Sequence, residues 1–367
     1  GAHAIEALNR GAAKGGFYHD TGEGGVSRYH RAGGGDLVWE LGSGYFGCRT
    51  KEGRFDPDRF ADVAQDDQIK MFEIKLSQGA KPGHGGVLPG NKVTEEIAEA
   101  RGIPVGQTCF SPAAHTAFST PKGLMEFVAQ LRELSGGKPV GMKLCVGNRW
   151  EVLAICKAML ETGIHADFIV VDGAEGGTGA APAEFMDHIC APLRQGLVLV
   201  RNALVGCDLK RHVKLGASGK QISAFSMAAS MALGADWINT ARGFMFSLGC
   251  IQSLNCHNNT CPTGIATTDK GRQRGLVIPD KAERVYNFHR NTISALMEVV
   301  GAAGCEHPSE LTPRHIMHRV TEDIAEPGHR AYKLIEPGAL ISGADDTHLA
   351  REWSMAQTAS FAPLRID

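Results

Sequence analysis

The chain has 367 residues, 43% of them hydrophobic, and a formal net charge of −2, enough to bury a large core without disulfide staples and too neutral to hold a polyanion such as nucleic acid. Its longest uncharged stretches, residues 102–121 and 243–268, are broken by Gly, Pro and polar residues, so neither spans a bilayer as a helix. No basic head followed by an apolar run opens the sequence, and the ten cysteines, three of them clustered, read as reduced thiols with a metal site, which together predict a cytoplasmic setting.

In chain order, Ile5, Leu8 and Ala12 at helical spacing predict an opening helix over residues 2–12. Strands are expected at residues 16–20, 71–77 (MFEIKLS), 139–146 (PVGMKLCV), 167–172 (DFIVVD), 197–201 (LVLVR), 213–216 and 237–240. Helical patterns at 121–133, 149–161 and 220–233 lie between them, and this alternation predicts repeated strand–helix units and a parallel sheet. The units fall one short of the eight that a closed barrel needs, and a helix comes first. Either a further strand would precede Gly1 or the sheet is open. No linker interrupts the series before Thr268, so residues 1–268 are expected to form the barrel domain, Cys loop included. Residues 269–367 are expected to be a helical extension packed on it, led by an amphipathic helix over 279–299 with Ala282, Val285, Phe288, Ile293 and Met297 on one face.

Three constellations carry chemistry. Cys250, Cys256 and Cys261, closed by Pro262, place three thiols in one loop; thiolates bind zinc and iron–sulfur clusters, and three of them suit a three-iron cluster or a zinc completed by His257. Asp172 is followed by a loop containing Gly176, Gly177, Thr178 and Gly179, and Ser218-Gly219-Lys220 opens the next helix. Converging backbone N–H groups at two such tips suit a phosphate, although glycines also serve tight turns. Lys75, Lys81 and Lys143 sit in or just after apolar strands, where a cation either stabilises an anionic ring or carboxylate or belongs to a buried ion pair. Glu23 would pair with one of them or bind an amine. The sequence has no GxSxG or Walker motif, and no GxGxxG follows any of the strands expected above, which weakens hydrolase, NTPase and Rossmann readings.

The segments TGEGG (21–25), KLSQGAKPGHGG (75–86), DGAEGGTGAAP (172–182) and GCIQSLNCHNNTCPTGIAT (249–267) together resemble the synthase domain of glutamate synthases, most closely the stand-alone proteins containing that domain. The resemblance covers roughly residues 1–300 and implies a (β/α)8 TIM barrel with FMN at the C-terminal mouth of the strands and a 3Fe-4S cluster on Cys250, Cys256 and Cys261. It implies that Gly176, Gly177, Gly179, Ser218 and Gly219 line the FMN phosphate. Lys143 would face the pyrimidine end of the flavin, with Thr21, Gly22, Gln78 and Asp172 completing the cofactor site. Lys81 and Arg101 would bind the carboxylates of 2-oxoglutarate, and Glu23 would stand near the substrate.

The sequence also departs from the family pattern. The family's first strand, with its SFG-type sequence, would lie before Gly1, leaving the flavin site one wall short. His84 stands where the family has Glu and Val87 where it has Gln, so the keto-acid site is changed. No glutaminase part with an N-terminal Cys nucleophile is present, so free ammonia, a small amine or a partner subunit would supply nitrogen. The expected activity is reductive amination of 2-oxoglutarate or a related keto acid, with electrons from a ferredoxin or a reductase subunit; a homo-oligomer is compatible. The alternatives are the same cofactors with another substrate, or a non-catalytic electron-relay or assembly subunit.

Overall fold

A computed structural model of the chain describes residues 1–177, 179 and 181–365. Its main sheet has seven strands, β1 (His19–Asp20), β2 (Leu37–Leu41), β3 (Ile69–Lys75), β4 (Val140–Leu144), β5 (Phe168–Asp172), β6 (Lys214–Ser218) and β7 (Trp237–Asn239), in sequence order. Every neighbouring pair is parallel. The sheet curls into an open (β/α) barrel: β1 and β7 are not paired with each other, yet the Tyr18 hydroxyl before β1 donates to Asn239 Oδ1 at the end of β7.

Helices α1 (Ala2–Gly15), α2 (Pro57–Ala64), α3 (Pro121–Leu134), α4 (Arg149–Thr162), α5 (Leu193–Gly206), α6 (Ala224–Ala232) and α7 (Arg242–Leu248) accompany the strands, and α8 (Ile278–Ala302) packs along α1, α6 and α7. None is long and apolar enough to cross a membrane. Local chemistry sets their starts. Pro121 occupies the first turn of α3, and the Thr120 side chain accepts from Gly123 N–H at 2.9 Å, satisfying one otherwise orphaned donor. Thr120→Ala is expected to cost about 1 kcal/mol in urea unfolding, with Thr120→Ser retaining most of it.

The core lies between sheet and helices. Trp39 of β2 stacks on Phe60 of α2 at 5.5 Å and meets Phe72 of β3 at 6.0 Å. The seven-strand count agrees with expectation only because two errors offset. Residues 197–201, expected as a strand, lie inside α5, where Leu197, Val200, Ala203 and Leu204 are buried. This helix is covered by β5, β6 and α4 and by C-terminal residues including Ile335 and Leu340, so Leu197–Val200 form a continuous apolar run that reads locally as a strand, while Leu193, Leu197, Val200 and Leu204 keep the helical spacing over the longer window. The strand that went unrecognised is β2, LVWEL, buried at all five positions. The helix expected from residue 220 begins at Ala224, after the Ser223 side chain accepts from Ser226 N–H.

Candidate functional site

Strand register builds a charged layer inside the barrel. Glu40 of β2 lies opposite Glu73 of β3, and Lys75 of β3 lies opposite Lys143 of β4. Because side chains alternate along a strand, Glu73 and Lys75 share one face, so a row of acids is followed by a row of lysines toward the strand ends. Lys143 Nζ pairs with Glu40 and lies 3.5 Å from Glu73, while Lys75 Nζ lies 3.5 Å from Glu40 and 3.2 Å from Glu23. Asp20 of β1 closes the group: one oxygen each of Asp20, Glu40 and Glu73 lie within 4.8 Å of one another.

Burial and crowding divide these acids. Burial alone would raise Glu40, but Lys143 and Lys75 outweigh it and hold this carboxyl at about 2. Burial, then the neighbouring Glu40 charge, pushes Asp20 up to about 6. Glu73 is raised well above the carboxylate range, chiefly by burial against the pull of Lys143, and its Oε1 has no hydrogen-bond partner. Lys143 stays cationic, because Glu40, Glu73, Asp20 and Asp172 together outweigh the cost of burying it. Glu23, given two roles by the sequence, takes the ion pair with Lys75.

Above this layer the strand-end loops interlock. Asp172 and Ser218 are register partners at the ends of β5 and β6. Asp172 Oδ2 accepts from Gly79 N–H at 2.8 Å, and Ser218 O accepts from Gly173 N–H at 2.9 Å. Gly177 (φ 131°) and Gly219 (φ 128°) hold backbone conformations that L side chains rarely adopt, and a Cβ on Gly177 would lie 2.0 Å from the Ala80 Cβ.

A cavity of about 730 Å³ runs from these loops and the charged layer to apolar residues of α1, α7 and α8, among them Leu8, Phe244 and Phe288. Thr21, Gly22, Glu23, Gln78, Lys81, Lys143, Asp172, Gly177 and Ser218 all line it. Gly176 packs on the Asp172 carboxylate and Gly219 on the Gly173 backbone, so both shape the loops and stand outside the cavity wall. Arg101 is not brought to the cavity. It ends the helix Glu95–Arg101, its guanidinium 4.5 Å from the Phe46 ring and beside Gly24. Lys81 enters none of the ion pairs of the charged layer; burial lowers its pKa while Glu23 opposes that. His84 lines a narrow side pocket with Glu23, Gln78 and Lys81, whereas Val87 is 55% exposed.

The Cys loop follows α7, whose C-cap is Gly249 in the left-handed conformation. Burial, then the charges of Cys261 and Cys250, raises the Cys256 thiol. Burial would raise Cys261 too, but hydrogen bonds from the Ala266 backbone, Thr263 and Ile265 lower it. Lys92 Nζ donates to Cys256 O at 2.8 Å. A Cβ on Gly179 would lie 2.6 Å from Cys256 Sγ, so this glycine joins the Gly-rich loop to the Cys loop and belongs to that contact as much as to the cavity. Thr178 and Ala180 lie outside the described residues.

The family model described as "Conserved region in glutamate synthase" matches residues 1–306. The chain belongs to the glutamate synthase family. It is 41% identical over 320 residues to the glutamate synthase large subunit-like protein YerD of Bacillus subtilis, covering 87% of this chain and 61% of that protein. It is 33% identical over 303 residues to the archaeal-type glutamate synthase [NADPH] of Thermotoga neapolitana, covering 82% of this chain and 56% of that protein. The chain thus spans about three fifths of the length of these relatives.

For this glutamate synthase family member, sequence reasoning missed Asp20, Glu40, Glu73 and Lys92. Glu40 is the single charge of LVWEL, and Glu73 stands between apolar residues two positions before Lys75 in MFEIK; a charge within an apolar strand is the signal that singled out Lys75 and Lys143, and applying it to both signs would have found them. Lys92 carried no such mark: it lies in the segment that connects the short antiparallel strands Val87–Leu88 and Cys109–Phe110, and only the fold brings it to the thiols.

Proposed function

We propose that this chain is the synthase domain of an FMN- and iron–sulfur-dependent oxidoreductase that forms glutamate, or an N-substituted glutamate, from 2-oxoglutarate and ammonia or a small amine. The observation that carries this reading is the contact between the loop lining the lysine-bearing cavity and the loop bearing three thiols, made at Gly179 and Cys256. The residues fit both groups. Cys250, Cys256 and Cys261 offer soft thiolate donors for a three-iron cluster, and Gly177 with Ser218 leaves room at the strand ends for a phosphate. When bound, the flavin and the cluster would supply hydride and one-electron transfer respectively.

The chain's own residues do the rest. Lys143, held cationic by the acids beneath it, presents a fixed positive charge to the cavity, where it favours an electron-rich ring. Lys81 is the cation placed to hold a keto-acid carboxylate, with Gln78 beside it on the cavity wall. The Glu23 carboxylate, tied to Lys75, can accept a hydrogen bond from an incoming amine. Electrons would come from a ferredoxin or a reductase subunit.

Anaerobic purification should yield about three irons and one FMN per chain. Lys81→Met should raise the KM for 2-oxoglutarate at least roughly tenfold with flavin content unchanged. Protein folded but free of both iron and flavin would overturn the reading. A second reading, another keto acid on the same cofactors, is favoured by His84 in the side pocket with Lys81 and Glu23. Turnover with a different keto acid and none with 2-oxoglutarate would select it.

A further inference from the structure

A second pair of thiols, separate from the Cys loop, sits behind the Gly79 turn. Cys145 directly follows β4 and Cys190 precedes α5, and the two are the cysteines of one small buried cluster with Ala174. Their backbones are clamped side by side: Ala191 N–H donates to Val146 O at 2.9 Å and Ala174 N–H to Ala191 O at 3.0 Å. The Cys145 thiol lies 3.3 Å from Ser77 Oγ, and the Cys190 thiol donates to Gly79 O at 3.2 Å. Neither sulfur has a role in the reading above.

The two thiols are unequal. Cys145 is lowered, first by the neighbouring Cys190 sulfur and then by Ser77, against burial, while Cys190 is raised by the same sulfur contact and by burial. The protein contains its own comparison: Cys156 of α4 neighbours Cys207 at the end of α5, and the Cys207 contact, then burial, raises Cys156. That pair is 0% and 1% exposed, whereas Cys145 and Cys190 are 9% and 8% exposed. A thiolate, not a thiol, is the nucleophile toward peroxides and disulfides.

We propose that Cys145 and Cys190 form a dithiol site that hydroperoxides oxidise to a disulfide, joining the end of β4 to the segment before α5. The Cys145 sulfur attacks one peroxide oxygen, the O–O bond breaks, water leaves, and Cys145 becomes a sulfenic acid. The Cys190 sulfur then displaces the hydroxyl as a second water, forming the S–S bond. Two thiols lose two hydrogens and two electrons, and hydrogen peroxide becomes two waters. The bond would withdraw the Cys190 thiol from Gly79 O, in the turn that Asp172 fastens beside the cavity.

The test is stoichiometric hydrogen peroxide on the full chain, alkylation of remaining thiols, and peptide mapping by mass spectrometry. A Cys145–Cys190 linked peptide is expected, with Cys156 and Cys207 still alkylated as thiols. In Cys190→Ser, dimedone should trap Cys145 as the sulfenic acid at least roughly tenfold faster than Cys156, a difference that urea abolishes. Cys145 and Cys190 alkylated as fully as Cys156 and Cys207 after peroxide would overturn the proposal, as would either one linked instead to a Cys of the 250–261 loop. The wild-type map decides the matter even where the variant does not fold.

Discussion

Lys143→Met is expected to lower the unfolding free energy by about 3–5 kcal/mol near neutral pH, because it leaves Glu40 and Glu73 buried without their shared cation. The loss should depend on pH with a definite sign. In the wild type, Glu40 is held at about 2 against an ordinary 4.5; its contribution is complete above the ordinary value and disappears as pH falls toward 2. Asp20 is raised from 3.8 to about 6, so ionising it costs stability as pH rises through that window. Removing Lys143 takes away a cation that favours ionisation of all three acids, so they should take up protons more readily. Urea unfolding should therefore show the largest difference between variant and wild type at about pH 8 and a smaller one at about pH 5. A pH-independent difference would mean that the charged layer does not hold Lys143 in place.

Gly79→Ala should be nearly as damaging, for a steric reason. A Cβ there would lie 1.6 Å from Gly173 O, and a methyl group has no rotamer by which to escape. The Gly79 and Gly173 turns would have to separate, stretching the bond from Gly79 N–H to Asp172 and opening the cavity on that side. Overpacking of this kind costs about 1–3 kcal/mol, read as a lower urea midpoint. Gly301→Ala is the matched control: it lies in α8 with no atom near the new Cβ, and it should raise stability by about 0.5–1 kcal/mol. If Gly79→Ala behaves like Gly301→Ala, the interlock between the two turns is not rigid.

Much of the barrel was legible because its strands end in chemistry. Asp172 and Ser218, each followed by glycines, mark two strand ends, and the short apolar runs before them leave little choice of element. Length and flanks failed at 197–201, where four consecutive apolar residues hide the helical spacing of Leu193, Leu197, Val200 and Leu204, and at LVWEL, where a carboxylate inside the strand disguised it. The cations of the site were legible as misfits in apolar strands. Their partners were not, because pairing depends on register across three strands, and one-residue misplacement of β2 would turn Glu40 away from Lys143. Arg101 was grouped with Lys81 through the family pattern; the chain instead ends a helix at that point and lays the guanidinium on Phe46.

The open seam between β1 and β7 bears on how the molecule stays dispersed. A sheet that does not close exposes unpaired amides and carbonyls along two rims, and such rims are templates for strands of other molecules. Here the rims are a strand of two residues and one of three, too short to seed a ladder, and the bond from Tyr18 to Asn239 draws them toward each other. Tyr18→Phe would release that clasp while keeping the ring, and with rims this short the variant is expected to elute from gel filtration as the wild type does.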